Sequence, residues 1–189
     1  ASTLPMNGLT ARLGLEALAL QPGETLAVSG GAGLLASYVI ALARERGLQV
    51  IADAAPADQA AVEEAGCDIV VPRSDDFAAA VRAVVPAGVD GLYDTAALAA
   101  EALGAIRDGG RMVSIRGWTP DEPERGITVT AIGVVSALER TEWLEEIHEL
   151  AVSGRLPIRP IVELRPEDVA GAQGAMDTGG LRSRAVIVF

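Results

Sequence analysis

The stretch Ser29-Gly30-Gly31-Ala32-Gly33-Leu34-Leu35-Ala36 joins an apolar run, Thr25 to Val28, to a long alanine-rich helical pattern, Leu34 to Arg46. No other feature of the chain limits its fold as tightly. A strand that turns through glycines straight into a helix opens a βαβ unit, and Gly31, Gly33 and Ala36 fit the pattern G-x-G-x-x-G/A. The first small residue permits the tight turn, the second lets the backbone approach a pyrophosphate, and the third packs helix against strand. The helix N-terminus then offers unpaired N–H groups and a positive dipole end to the phosphates. Gly47 ends the helix and Gln49 to Asp53 read as the next strand. Asp53 falls about 20 residues past the glycines, where an acid accepts from a ribose hydroxyl. An ordinary tight strand-to-helix turn would explain the glycines alone; the spacing to Asp53 favours a dinucleotide.

The βα pattern then repeats. Strands are expected at Asp68 to Val71, Val89 to Tyr93, Arg111 to Ile115 and Ile127 to Val135, with helices at Ala57 to Ala65, Asp75 to Val84 and Ala97 to Ile106. Gly66, Pro86-Ala-Gly88 and Asp108-Gly-Gly110 mark turns, and Gly117 to Gly126 is a loop by composition. Short apolar strands alternating with helices imply a doubly wound α/β fold, a parallel sheet of about six strands in the order 3-2-1-4-5-6. Residues 1–137, with a leading helix from Met6 to Leu18, form the expected dinucleotide-binding domain. Residues 138–189 form a small α/β tail: a helix (Glu139 to Ser153), a strand (Arg159 to Leu164), a helix (Pro166 to Met176) and a closing strand (Arg184 to Phe189). Those two strands can pair only with each other, and such a tail usually completes another domain.

Composition removes several classes of partner. A net charge of -11 argues against nucleic acid and anionic membranes, which would repel the chain. The longest apolar run, Leu34 to Ala43, is too short to span a bilayer, and the beginning of the chain lacks the regions of a signal peptide, so a cytoplasmic location is expected. One cysteine, Cys67, and one histidine, His148, leave no Cys/His cluster for zinc, and no metal is expected. Cys67 reads as a small buried side chain and His148 as a solvated or helix-capping residue. All fifteen basic residues are arginine, so no lysine can serve as base, Schiff-base former or phosphate ligand.

Several stretches, in order, resemble the medium-chain dehydrogenase/reductase superfamily, and particularly its zinc-independent quinone oxidoreductase branch. They are Leu4 to Ala11, Leu20 to Gly30, Asp90 to Thr95, Asp108 to Ile115 and the closing Gly180 to Phe189. The enoyl reductase domains of polyketide synthases share much of this set. The family's N-terminal GroES-like catalytic domain holds most substrate contacts, and this chain begins where that domain ends. By this resemblance the complete protein would be an oxidoreductase transferring hydride between a nicotinamide dinucleotide and a carbonyl or activated alkene such as a quinone or enone. Gly31, Gly33 and Ala36, with Ala32, Leu34 and Leu35 completing the turn, would meet the pyrophosphate. Thr10 and Thr95 would lie toward the nicotinamide, and Ser114 and Val134 would line its ring. Leu34 stands where the branch usually has a second consecutive glycine, Gln59 replaces a common lysine and Pro72 a common tyrosine near the 2′-phosphate, so Arg73 alone remains there to attract extra charge. Asp53 favours NAD(H) over NADP(H), although strict alignment puts Ala54 at the family's ribose acid. No catalytic acid stands out; Asp94, at a strand's C-terminal end, reads as a cap. The other partners expected are a small-molecule substrate and a second copy of the chain, in a homodimer through the last sheet strand. A non-catalytic dinucleotide-binding module and an enoyl reductase fragment of a polyketide synthase are the alternatives.

Overall fold

The computed structural model describes residues 3–177 and 183–189. Its centre is a parallel sheet of β1 (Thr25–Ser29), β2 (Gln49–Ala54), β3 (Ile69–Pro72), β4 (Val89–Asp94), β5 (Ile106–Ser114) and β6 (Thr128–Ala131), in the order β3-β2-β1-β4-β5-β6. This is the expected doubly wound arrangement. The central strands are apolar at successive positions because both faces are covered. In β1, Leu26 and Val28 join one core cluster and Ala27 the other, as the two-residue side-chain period requires.

The first cluster lies under α1 (Pro5–Leu18), α2 (Leu34–Glu45) and α5 (Thr141–Val152). Pro5 starts α1 at a position whose N–H would have no helical partner. The helix then seats closely on the sheet. A Cβ at Gly14 would come within 2.3 Å of the Tyr93 ring, and the Tyr93 hydroxyl donates to the Thr10 carbonyl at 2.6 Å. The second cluster is closed by α4 (Phe77–Val84), through Phe77 and Val81, and by a 3-10 segment, Ala99–Ala105. Asp76 caps α4, its side chain accepting from the Ala79 N–H at 2.8 Å. A short α3 (Gln59–Glu64) follows β2.

Three expected elements differ. The helix expected from Ala97 to Ile106 is the shorter 3-10 segment, and it starts only at Ala99 (φ 56°), after Ala97 (φ 60°), both in left-handed backbone. Ile106 belongs to β5, so the Asp108-Gly-Gly110 signal is an irregularity near the start of a long strand, with Gly109 at φ 70°. The last sheet strand is Thr128–Ala131 rather than Ile127 to Val135, and a 3-10 turn, Val134–Ala137, turns the chain away. Val134 is therefore a turn residue. β-branched residues continue past Ala131, but Gly133 intervenes and the chain leaves the sheet there.

The tail contains β7 (Ile161–Leu164), a 3-10 turn (Pro166–Asp168), α6 (Val169–Asp177) and β8 (Arg184–Ile187). β7 and β8 pair parallel with each other in a separate two-stranded sheet. Ile161, Val162, Ile187, Val188 and Phe189 are exposed. Gly180 to Arg182, part of the family-like closing stretch, lie outside the described residues.

Candidate functional site

Above the C-terminal ends of β1 and β4 the strand order reverses, the place where an open α/β sheet forms a crevice. The glycine turn fills one side of it. Gly30 adopts φ 67°, a backbone that favours glycine, and Gly31 passes so close to β2 that an added Cβ would lie 2.8 Å from both the Ala52 Cβ and the Asp53 carbonyl. The Gly31 N–H donates to that carbonyl at 3.1 Å and the Gly33 N–H to the Gly30 carbonyl at 2.7 Å. Helical bonding starts further on. The Ser37 N–H donates to the Gly33 carbonyl, while the N–H groups of Leu34, Leu35 and Ala36 have no protein acceptor among the described residues. Three such donors at the positive end of a twelve-residue helix form an arrangement able to hold an anion. The Leu34 and Leu35 side chains are half-buried and pack against the core, as does Ala32, and Ala36 is fully buried.

Asp53 is 7% exposed, and its carboxylate is already engaged. One oxygen accepts from the Gly30 N–H at 2.5 Å and the other from Arg73 Nε at 2.6 Å. The sequence assigned Asp53 to a ribose; the structure gives it the further task of tying the glycine turn to the end of β2 and orienting Arg73. Each carboxylate oxygen retains a second acceptor site. Arg73, half-exposed, also donates its backbone N–H to the carbonyl of buried Ala54. Beside this pair is a cavity of about 360 Å³ bordered by Gly30, Asp53, Arg73, Asp75, Asp76 and Glu101. Its charged lining is four carboxylates to one guanidinium.

The other side of the crevice is held by Asp94, 1% exposed. One oxygen accepts from Ser29 Oγ (2.7 Å) and the Leu98 N–H (3.1 Å), and the other from the Ala99 N–H (3.0 Å). Ser29 Oγ in turn accepts from the Ala96 N–H at 3.0 Å, and Thr95 Oγ1 donates to the Ser29 carbonyl at 2.5 Å. Asp94 is thus a buried cap for the left-handed loop after β4. The family resemblance put Thr95 toward the nicotinamide end; its hydroxyl proton is spent on β1. Thr10 donates its hydroxyl to the Met6 carbonyl inside α1. Ser114, 2% exposed, ends β5, and its carbonyl accepts from the Ile132 N–H at 3.0 Å.

Two further sequence readings concern titratable side chains. Cys67 is buried, its thiol donating toward the Ile69 and Val50 carbonyls, and burial pushes its pKa up to about 11. His148 is exposed on α5, while Ile147 and Leu150 of the same helix are buried. Among the described residues no three His, Cys, Asp or Glu side chains are grouped to hold a metal ion, and no helix is long and apolar enough to cross a membrane. One contact had no sequence signal at all: Arg159, from the tail, donates to the Ala32 carbonyl inside the glycine turn.

The sheet, its crevice and the glycine turn make a doubly wound α/β fold, and comparison with known proteins narrows it. No protein-family model matches the chain. It is 26% identical over 194 residues to the 2-methylene-furan-3-one reductase of Solanum lycopersicum, an alignment spanning 99% of this chain and 46% of that protein. Its structure is similar to the quinone oxidoreductase of Pseudomonas syringae pv. Tomato DC3000 (TM-score 0.83, 20% identity, 97% of this chain and 62% of that one). A mycobacterial protein solved in complex with NADPH is comparably similar (TM-score 0.81, 21% identity, 97% and 62%). The chain shares the fold of these oxidoreductases over the part it covers, the doubly wound sheet that its sequence implied. It spans about half the length of the curated relative it matches.

Proposed function

We propose that this chain is the NAD(P)-binding part of a medium-chain oxidoreductase. The complete protein transfers hydride between a nicotinamide dinucleotide and a carbonyl or activated alkene such as a quinone or enone. The observation that carries the reading is the set of N–H groups at Leu34, Leu35 and Ala36 without a protein acceptor among the described residues, at a helix N-terminus that follows β1 where the strand order reverses. A pyrophosphate supplies the acceptors these donors lack, so the residues present fit a dinucleotide. When bound, the nicotinamide supplies the hydride chemistry. The chain's own share is binding and orientation: the turn fixes the phosphates, Asp53 and Arg73 bound the ribose end, and Thr95, Ser114 and Val134 border the opposite end. Residues 138–189 contribute their exposed apolar strands to a neighbouring catalytic domain, and the reaction proceeds without zinc. The same reading includes a cytoplasmic location and a homodimer across the open edge of β6.

The preference within this reading is for NAD(H). A 2′-phosphate would enter a cavity lined by Asp53, Asp75, Asp76 and Glu101, and its one guanidinium is already paired with Asp53. A ribose hydroxyl instead donates to a remaining acceptor site on Asp53 without adding charge. Calorimetric titration of the chain with NADH and NADPH tests both levels. Saturable binding with NADH tighter by about tenfold, or 1.4 kcal/mol, is expected. Tighter NADPH overturns the preference, and no binding of either overturns the reading.

A further inference from the structure

We propose that Arg159 is a cofactor-positioning residue, a cation that the C-terminal tail delivers to the phosphate-binding turn; this rests on the dinucleotide reading above. The argument starts from charge. A pyrophosphate is a polyanion, the chain carries -11, and it contains no lysine, so a permanently charged side chain that this chain brings to the phosphates is an arginine. Among the described arginines, Arg73 and Arg159 are held at the glycine turn and its neighbour Asp53. Arg73 is committed to Asp53 at the ribose end. Arg159 reaches the turn itself, donating through Nη2 to the carbonyl of Ala32, two residues before the first free helical N–H at Leu34.

The approach is built into the tail rather than left to a loose side chain. Just before Arg159 the chain is pinned to the domain twice: Leu156 is 1% exposed in the main core, and Arg155 pairs with Glu45 of α2 at 2.6 Å. Pro157 and Pro160 flank the approach and restrict the backbone between that anchor and β7. The segment borders a cavity of about 330 Å³ lined also by Ala32, Ser37, Ala61 and the carboxylate residues Asp58 and Glu64, so the arginine bridges tail and turn across a cleft. The Tyr38 hydroxyl group, raised by burial, is drawn the other way by the charges of Arg184 and Arg159, so Arg159 is also felt electrostatically by α2. A guanidinium presents its donors in a planar fork, and Nη2 of this one faces the Ala32 carbonyl. Phosphate oxygens at the Leu34–Ala36 N–H groups would bring that fork and the helix end onto one ligand. Binding and docking of the tail would then be coupled through one side chain.

The test compares Arg159→Gln, Arg159→Lys and Arg155→Ala with the unmodified chain, titrating NADH, ADP-ribose and adenosine at several salt concentrations. Arg155→Ala loosens the same segment without removing charge from the turn. The expected result is a loss of about tenfold or more in NADH and ADP-ribose affinity for Arg159→Gln. Its salt dependence should be shallower, with partial rescue by lysine, unchanged adenosine binding, and a smaller loss in Arg155→Ala than in Arg159→Gln. Unchanged NADH affinity in folded Arg159→Gln overturns the proposal. So does an equal loss in Arg155→Ala, or a loss that extends to adenosine, since either makes Arg159 a structural anchor. Binding of NADH by the unmodified chain keeps these outcomes separate from failure of the dinucleotide reading, which no binding at all would bring.

Discussion

Replacing Asp94 with asparagine isolates the internal support of the crevice without changing side-chain volume. The carboxylate accepts three hydrogen bonds at 2.7–3.1 Å, two from backbone N–H groups, and is 1% exposed. An asparagine amide has one oxygen and one NH2. Turned one way, the NH2 faces the Ala99 N–H; turned the other, it faces the Leu98 N–H, while the Ser29 hydroxyl can rotate to accept. Either orientation leaves a backbone donor without its acceptor in a buried position, a cost of about 1–3 kcal/mol, and removes a charge-assisted bond of about 1.5–3 kcal/mol. Relief from burying a charge offsets part of this, leaving a net loss of about 3 kcal/mol. For a chain of this size that lowers Tm by about 6–12 °C. Urea denaturation followed by circular dichroism measures the free energy, with an unchanged m-value as the control. A loss below about 1 kcal/mol would refute the reasoning, because the loop after β4 would not then depend on Asp94 as an acceptor.

Gly33→Asp places a carboxylate on an exposed turn residue whose φ of -70° suits any side chain, with its Cβ 3.1 Å from the Gly30 carbonyl. Dinucleotide binding should be lost by calorimetry while the circular dichroism spectrum is retained; unchanged affinity would move the site elsewhere. The Ile132 N–H donates to the Ser114 carbonyl, so alternation along β6 directs the Val129 N–H toward the open edge. Val129→Pro should therefore weaken the homodimer before it unfolds the domain, and an unmodified chain sedimenting as a monomer at high micromolar concentration would refute that interface. The Cys67 thiol should resist disulfide reagents at pH 8 in the native protein and react on unfolding. Its raised pKa means that the unfolded chain loses the proton first, so stability falls between about pH 9 and pH 11, and Cys67→Ser should flatten that fall in denaturation series.

The sheet was readable because its strands are short, apolar and separated by glycine or proline signals, and because parallel topology leaves few orders for such a pattern. Its last third was less so. Alanine-rich Ala96 to Ala105 has high helical propensity, yet Asp94 draws the Leu98 and Ala99 N–H groups into a cap and forces left-handed alanines, a tertiary demand that propensity does not register. At the site, spacing led to Asp53 but not to its pairing with Gly30 and Arg73, since Arg73 lies 20 residues on and meets Asp53 only when β2 and β3 align. Arg159 is 127 residues from Ala32 and belongs to no motif, so only the folded chain brings them together.

The bonds that brace the crevice also dictate when it can exist. Thr25 with Asp90 and Ser29 with Asp94 each join positions 65 residues apart, at opposite ends of the β1–β4 pairing. Closing that interval costs chain entropy before any of these contacts form, and the β2 and β3 units must fit inside it. A nascent chain that has emerged only as far as α3 already has its glycine turn but lacks the strand against which β1 is fixed on its other side. The crevice is therefore a late product of folding, completed by β4. A refolding experiment that follows dinucleotide binding should show a lag behind the gain of helical signal.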